Sequence, residues 1–322
     1  SAILGLPMKS LDAQTVANFL PRQAMVDALD VAFRKSVNVP PRAHHEIAAE
    51  NNAPGTLLLM SAWSSDYIGV KIVTVFPENS ALGVSAVSGS YLLMDASTGI
   101  PVALLDGTEL TLQRTAAASA LASSYLSRKD SKKLLMVGTG KLAPHLIAAH
   151  RTVRSITEVV IWGRRAAAAD HLAAELGDDR ISVSVADDLA EAVSAADIIS
   201  CATLATEPLV HGDWLRAGQH LDLVGAFKPD MAEADGHAVS IADVYVDTRV
   251  GALTEAGEIV QALETGSIYE ADIRGSLREL TTNAVSGRTD KNSITLFKSV
   301  GTALEDLAAA ALAFDNFNKA QR

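Results

Sequence analysis

Six consecutive residues constrain this chain more than any others. The apolar run Leu134–Val137 has strand character. It leads straight into Gly138-Thr139-Gly140-Lys141-Leu142-Ala143, after which a helical pattern opens. In a strand–turn–helix of this G-x-G-x-x-A form, the first glycine permits the tight turn. The second leaves bare backbone where a phosphate can approach, and the small third residue lets helix and strand pack closely. The helix N-terminus adds unpaired N–H groups and a partial positive charge. Gly138 and Gly140 are therefore candidates for binding the pyrophosphate of a dinucleotide.

Strand and helix alternate from there on. Val159–Trp162, Ile181–Val185, Ile198–Cys201, Leu221–Val224 and Val244–Val246 read as strands, with helices over 166–176 and Leu189–Ala195 between them. The alternation predicts βαβ units and a Rossmann-type, doubly wound parallel sheet. The preceding part differs. Residues 11–36 read as helical, with Pro21 suited to a first helical position and Val26, Leu29 and Phe33 on one face. Leu57–Met60, Val70–Val75 and Ala86–Met94 are short, β-branched or aromatic, and punctuated by glycines, so residues 56–105 read as a sheet of several strands. An Ala/Leu-rich helix follows over 108–127, with Thr108 as its expected cap. The polar stretch Ser127–Lys133 is the expected domain boundary, and Val300–Phe317 reads as a final helix. The expected fold class is α/β: a mixed α+β domain over 1–128 and a Rossmann domain over 129–301.

Composition sets the wider limits. The 322 residues are 48% hydrophobic, enough apolar material for sizeable cores in about two domains. The 27 basic and 38 acidic residues leave a net charge of −11. An acidic chain has no global electrostatic reason to hold nucleic acid or an anionic membrane. No apolar run is long enough to span a bilayer. Ser1–Ser10 has no basic segment before its apolar patch and makes a poor signal peptide, and Ser1 in place of Met points to processing or a tag remnant. Cys201 is the lone cysteine, which excludes an intramolecular disulfide and a Cys-rich zinc site. No H-E-x-x-H or other metal spacing occurs, and Gly83-Val84-Ser85-Ala86-Val87 lacks the second glycine of a serine nucleophile elbow. A cytoplasmic protein without a metal is expected.

The end of the second Rossmann strand selects the dinucleotide. An NAD site places Asp or Glu there for the ribose 2′-OH. Here the strand runs into Trp162-Gly163-Arg164-Arg165, and Glu158 stands at its opposite end. Guanidinium groups suit a 2′-phosphate by charge and by fork geometry. NADPH is expected ahead of NADH, with Arg164 and Arg165 on the phosphate.

Cations in the first half stand in unusual settings. Arg42 follows Pro40-Pro41, Lys71 lies inside the apolar run Ile68–Val73, and Arg114 precedes an Ala-rich helix face. Arg42 alone reads as a surface residue. Lys71 and Arg114 have apolar neighbours that imply burial, and a buried cation needs an anionic partner. The nearest carboxylates in sequence, Asp66 and Glu109, are not at pairing distances along the chain, so a substrate carboxylate is the expected anion. His44 and His45 could donate protons, but adjacent histidines in a loop more often face solvent.

With Pro41-Arg42, Gly69–Val75, Thr111-Leu112-Gln113-Arg114-Thr115-Ala116-Ala117, the glycine turn, Leu204–Pro208 and Ser299-Val300-Gly301 before Leu304-Glu305-Asp306, the chain resembles the ornithine cyclodeaminase/μ-crystallin family. The resemblance implies a substrate and dimerisation domain over 1–128, rejoined by a C-terminal helix at 302–322, and a homodimer. It implies that Arg42, Lys71 and Arg114 bind a substrate carboxylate, with Val300 also at the substrate. It implies cofactor contacts at Thr115, Gly138, Gly140, Lys141, Leu142, Arg164, Arg165, Thr203, Val224, Ala226 and Ser299. Cyclodeaminases of the family carry an Asp that handles the substrate amine, in a motif that here reads Val224-Gly225-Ala226-Phe227-Lys228-Pro229-Asp230. Phe227 takes the Asp position. A substrate ammonium would lose its partner there, at a cost on the order of several kcal/mol in a dry site. Ordinary core packing at a strand end is the other reading of Phe227. The stretch is similar to that of members reducing cyclic imino acids. The expected activity is therefore NADPH-dependent reduction of Δ1-pyrroline-2-carboxylate or Δ1-piperideine-2-carboxylate to L-proline or L-pipecolate, with Lys71 or a water as proton donor. The alternatives are an ornithine or lysine cyclodeaminase, an alanine dehydrogenase, or a non-catalytic NADPH-dependent binding protein.

Overall fold

A computed structural model describes residues 8–48, 54–177 and 180–322. Most of the start that bears on a signal peptide, residues 1–7, lies outside the described residues. The chain divides into two compact units, residues 1–115 with 302–322, and residues 116–301.

The first unit is built on β1 (Lys9–Leu11), β2 (Ala43–Ile47), β3 (Gly55–Trp63), β4 (Tyr67–Val75), β5 (Val87–Asp95) and β6 (Pro101–Asp106). They form one six-stranded sheet in the order β1-β6-β5-β4-β3-β2. Only β1 with β6 is a parallel pair among them. The expected helix over 11–36 is two helices, α1 (Ala13–Asn18) and α2 (Arg22–Arg34). The break falls at Leu20-Pro21, because proline has no N–H to continue the ladder. Val26, Leu29 and Phe33 are buried on one face of α2, with Met25. α3 (Gly107–Leu126) begins one residue before Thr108. Its cap is Asp106, whose carboxylate accepts the Glu109 N–H at 2.7 Å, which corrects the expectation of Thr108. His44 and His45 are exposed, but on β2 rather than in a loop.

The second unit carries β7 (Lys133–Val137), α4 (Ala143–Val153), β8 (Glu158–Trp162), α5 (Ala166–Leu176), β9 (Ser182–Val185), α6 (Leu189–Ala195), β10 (Ile198–Cys201) and β11 (His220–Leu223). It continues through α7 (Gly236–Ser240), β12 (Asp243–Val246), α8 (Arg249–Thr254), α9 (Gly257–Glu264), β13 (Ile273–Ser276), α10 (Leu277–Thr281) and β14 (Thr295–Lys298). The eight strands form a parallel sheet in the order β13-β12-β14-β11-β10-β7-β8-β9. The fold is α/β, with a doubly wound parallel sheet in this unit and a mixed sheet in the first. From β7 the chain winds outward to β8 and β9, then returns to β10 and winds the other way, so the direction reverses between β7 and β10. In such sheets ligands bind outside the carboxyl ends of the strands at this reversal. The last strand escapes the sequence pattern because its apolar run Ile294–Phe297 ends in Lys298, which is fully buried.

The units meet in sequence inside α3, between Thr115 and Ala116, whereas the polar stretch 127–133 follows the helix end. The second half of α3 belongs with the later residues by its bonds. Ser119 donates to Asp222 at 2.9 Å, and Arg154 Nη2 donates to the Ser123, Ser124 and Ser127 carbonyls at the helix end. The final helix α11 (Ala303–Ala320) belongs to the first unit. It packs on β3, β4 and β5 and against α2, and Phe317 meets Phe19 edge to face at 5.5 Å. No helix among the described residues is long and apolar enough to cross a membrane.

Candidate active site

In the first unit, strand alternation decides which residues share the face under α11. Gly69 and Lys71 point to the same side of β4, and Lys71 is register partner to Tyr91 on β5. Gly69 has to be glycine, since a Cβ there would overlap the Tyr91 ring and hydroxyl. Lys71 is 3% exposed, and its Nζ lies 3.0 Å and 2.8 Å from the two carboxylate oxygens of Asp306 on α11. Thr111 Oγ1 is 3.4 Å from the same nitrogen. Arg114, on α3, donates from Nε to Asp306 Oδ1 at 2.9 Å and from Nη1 to Glu305 Oε2 at 2.7 Å. Arg42, in the segment before β2, is half-buried and near enough to act on Lys71.

The buried cations also have anionic partners within the protein, which their sequence neighbourhood does not offer. These are Asp306 and Glu305, fully buried at the start of α11. They stand more than 190 positions along the chain from Arg114, and they reach it because the fold returns its last helix to the first unit.

The balance shows in the acidities. Burial lowers the Lys71 ammonium from the ordinary 10.5 to about 8. Asp306 opposes the fall, and Arg114 and Arg42 add to it. Burial would raise the Asp306 carboxyl, but Lys71 and Arg114 outweigh it and hold the group below its ordinary value. Burial, with Asp306, raises the Tyr91 phenol well above the usual value, so it stays protonated. A lysine this close to neutrality is equipped to give up and regain a proton.

In the second unit, the carboxyl ends of β7, β10 and β11 carry most of the expected cofactor residues. Gly138 follows β7 with φ +119°, a conformation that L side chains rarely adopt, and a Cβ there would stand 2.6 Å from the Ala202 carbonyl. A Cβ on Gly140 would meet nothing within 4 Å, so the backbone faces open space. Lys141 is exposed, Leu142 half-buried, and α4 opens with no side chain capping its N-terminus. This cradle suits a pyrophosphate. Thr203 follows β10, while Val224 and Ala226 are buried after β11 and Ser299 after β14. Val300 is half-buried and donates its N–H to Asp247 at 2.8 Å. Arg164 and Arg165 are exposed between β8 and α5. Thr115 is half-buried on α3 in the first unit. Phe227 is 44% exposed, which removes core packing as its explanation.

Glu233 is a residue that the sequence did not single out. It is fully buried. Its Oε1 accepts from the Thr203 N–H at 2.6 Å and the Thr203 hydroxyl at 2.9 Å, and its Oε2 accepts from the Gly225 N–H at 2.7 Å. Behind it, buried Glu258 accepts the Glu233 N–H at 2.7 Å and pairs with buried Lys298 at 3.0 Å. Among the described residues no cluster of three or more His, Cys, Asp or Glu could hold a metal.

Comparison with known proteins agrees with this architecture. Δ1-Pyrroline-2-carboxylate reductase of Colwellia psychrerythraea is 36% identical over 307 residues, covering 94% of this chain and 97% of that protein. The solved structure of Thermococcus litoralis Δ1-pyrroline-2-carboxylate reductase in complex with NADH and L-proline superposes with a TM-score of 0.91 at 33% identity, covering 98% of each chain. An archaeal alanine dehydrogenase dimer with bound NAD superposes with a TM-score of 0.90 at 30% identity, covering 98% of this chain and 97% of the other. The profile of the ornithine cyclodeaminase/mu-crystallin family matches residues 9–321, and the chain belongs to that family.

Proposed function

We propose that this protein is a cytoplasmic, NADPH-dependent reductase of cyclic imino acids, forming L-proline from Δ1-pyrroline-2-carboxylate and L-pipecolate from Δ1-piperideine-2-carboxylate. The observation that carries the reading is the buried Lys71, held by Asp306 among Arg114 and Arg42 with its ammonium near pH 8. Arg42, Arg114 and Lys71 bind the substrate carboxylate through charge-assisted hydrogen bonds and so fix the position of the adjoining C=N carbon. The Lys71 ammonium passes a proton to the imine nitrogen, which makes the carbon a better electrophile, and is reprotonated from solvent. The open face of Phe227, where a carboxylate would seat a substrate ammonium, suits an apolar ring. In the second unit, Gly138, Gly140, Lys141 and Leu142 would hold the pyrophosphate, and Thr203, Val224, Ala226 and Ser299 the nicotinamide end, with Thr115 a further contact. Val300 would line the substrate. When bound, the reduced nicotinamide supplies the hydride that completes the amine. The relatives named for pyrroline-2-carboxylate support the substrate class.

The test is a panel of five- and six-membered cyclic imines with NADPH and with NADH, followed by absorbance of the reduced cofactor. Turnover of the imines is expected. Pyruvate with ammonia as the better substrate would make the protein an alanine dehydrogenase, ammonia release from ornithine or lysine a cyclodeaminase, and cofactor binding without any turnover a binding protein. In the same assay the Arg164→Ala/Arg165→Ala double variant should raise KM for NADPH about tenfold and leave NADH within twofold, as expected for a charge-assisted contact to the 2′-phosphate. Equal effects on both cofactors would remove the phosphate role.

The sheet of the first unit also supports a homodimer. Its face away from α11 presents Leu59, Val70, Ile72 and Leu92 half-buried and Leu104 exposed, as adjacent register partners. Such an apolar surface calls for a partner, and the archaeal relative is described as a dimer. Light scattering should give twice the chain mass of 33.8 kDa. Leu59→Glu should give the monomer mass with the fold intact. A monomeric wild type would overturn the assignment.

A further inference from the structure

We propose that Glu233 is a positioning residue for the dinucleotide: one buried carboxylate ties together the loops that follow β10 and β11 and so fixes the backbone of Thr203 and Gly225. The proposal rests on the cofactor assignment made above and goes beyond it.

The three loops at the carboxyl ends of β7, β10 and β11 interlock. Gly138, first residue of the glycine turn, leaves no room for a Cβ against the Ala202 carbonyl and the Thr203 methyl. Gly225 leaves none against the Thr203 backbone and the Glu233 carboxylate. Parallel-sheet bonding carries on a step past the strands, from Ala202 N to the Val137 carbonyl at 2.9 Å and from Val224 N to the Cys201 carbonyl at 3.0 Å. Beyond that step Glu233 joins the two loops, beside the bond from the Ala232 N–H to the Ala205 carbonyl at 3.0 Å. Both oxygens of Glu233 accept from N–H groups, one from each loop. An ionised carboxylate accepts at both oxygens and turns no donor toward either loop. A glutamine in its place must turn an NH₂ toward one of the two N–H donors, and that loop loses its anchor. Buried Glu258 is a natural control. It is as deeply buried and also acidic, but its bonds go to the Glu233 N–H and to Lys298, not to either loop.

The experiment is calorimetric titration of the full-length wild type, Glu233→Gln and Glu258→Gln with NADPH, with thermal unfolding of each and amide hydrogen exchange of the ligand-free proteins. Glu233→Gln should weaken NADPH binding about tenfold. It should also speed exchange in peptides containing Thr203 or Gly225, and raise KM for NADPH while leaving KM for the imine within twofold. Glu258→Gln should leave the NADPH Kd within twofold, even if its unfolding temperature falls as far. Equal losses of NADPH affinity in the two variants, or unchanged affinity in Glu233→Gln, would overturn the proposal. If Glu233→Gln does not fold, Thr203→Val removes the hydroxyl bond to the same carboxylate and should weaken NADPH binding threefold or more, and unchanged affinity there counts against it. A wild type that binds no dinucleotide would overturn the cofactor assignment itself, a result separable from any difference between the variants.

Discussion

Asp306→Asn is expected to destabilise the protein by about 3–5 kcal/mol, the cost of removing one partner from a buried ion pair. The carboxylate is fully buried and touches two cations at once, Lys71 through both oxygens and Arg114 through one. The replacing amide has nearly the same shape, so packing is kept and the effect reports charge. Its oxygen in the Oδ1 place can accept from both cations, but its NH₂ in the Oδ2 place faces the Lys71 ammonium as a donor against a donor, and the negative charge is gone. Glu305 remains on the cluster, and it accepts from Arg114. Denaturant unfolding measures the loss. A change below about 1 kcal/mol would mean that water relieves the charges and that the cluster is not dry. The linkage has a definite sign. Asp306 ionises more readily folded than unfolded, so its contribution is present above the unfolded value of 3.8 and is lost as pH falls through the lower folded value. Wild-type stability should therefore decline toward acid more steeply than that of Asp306→Asn.

Lys71→Met should lower kcat for imine reduction by about two to four orders of magnitude, the range for loss of a general acid. Methionine fills much of the lysine volume in an apolar setting, and Arg114 stays on Asp306, so the variant should fold. The pH profile separates proton donation from simple anion binding. In the wild type the ammonium is present below about 8 and absent above it, so kcat/KM should fall as pH rises through that value. In Lys71→Arg the cation is retained and does not titrate in this range, so the basic limb near 8 should disappear while carboxylate binding is kept. A Lys71→Met enzyme within fivefold of the wild-type kcat would assign the proton to a water and leave Lys71 with carboxylate binding alone.

The glycine turn was legible because every requirement on it is local. The φ of Gly138, the open side of Gly140 and the small Ala143 at the helix start are set within six residues, and so is the βα unit around them. Strand alternation was legible for the same reason. Elements without a period of their own were missed. β14 hides behind its buried Lys298, and β13, Ile273–Ser276, has no apolar alternation. The Thr108 cap was misplaced because Asp106 and Thr108 both suit that role and only the backbone of β6 chooses between them.

The sequence by itself determined which parts the protein has: a dinucleotide-type turn, guanidiniums where an acidic residue would select NAD, and two cations too apolar in setting to be surface charge. The net charge of −11 says nothing of these sites, because charge counted over a chain carries no position. Only the tertiary structure decided what those cations face. Asp306 and Glu305 reach them because the last helix returns to the first unit, and Glu233 reaches Thr203 and Gly225 because parallel strands bring their carboxyl ends to one edge. Charge pairing depends on separation in space, whereas sequence separation carries no distance once the chain folds back on itself.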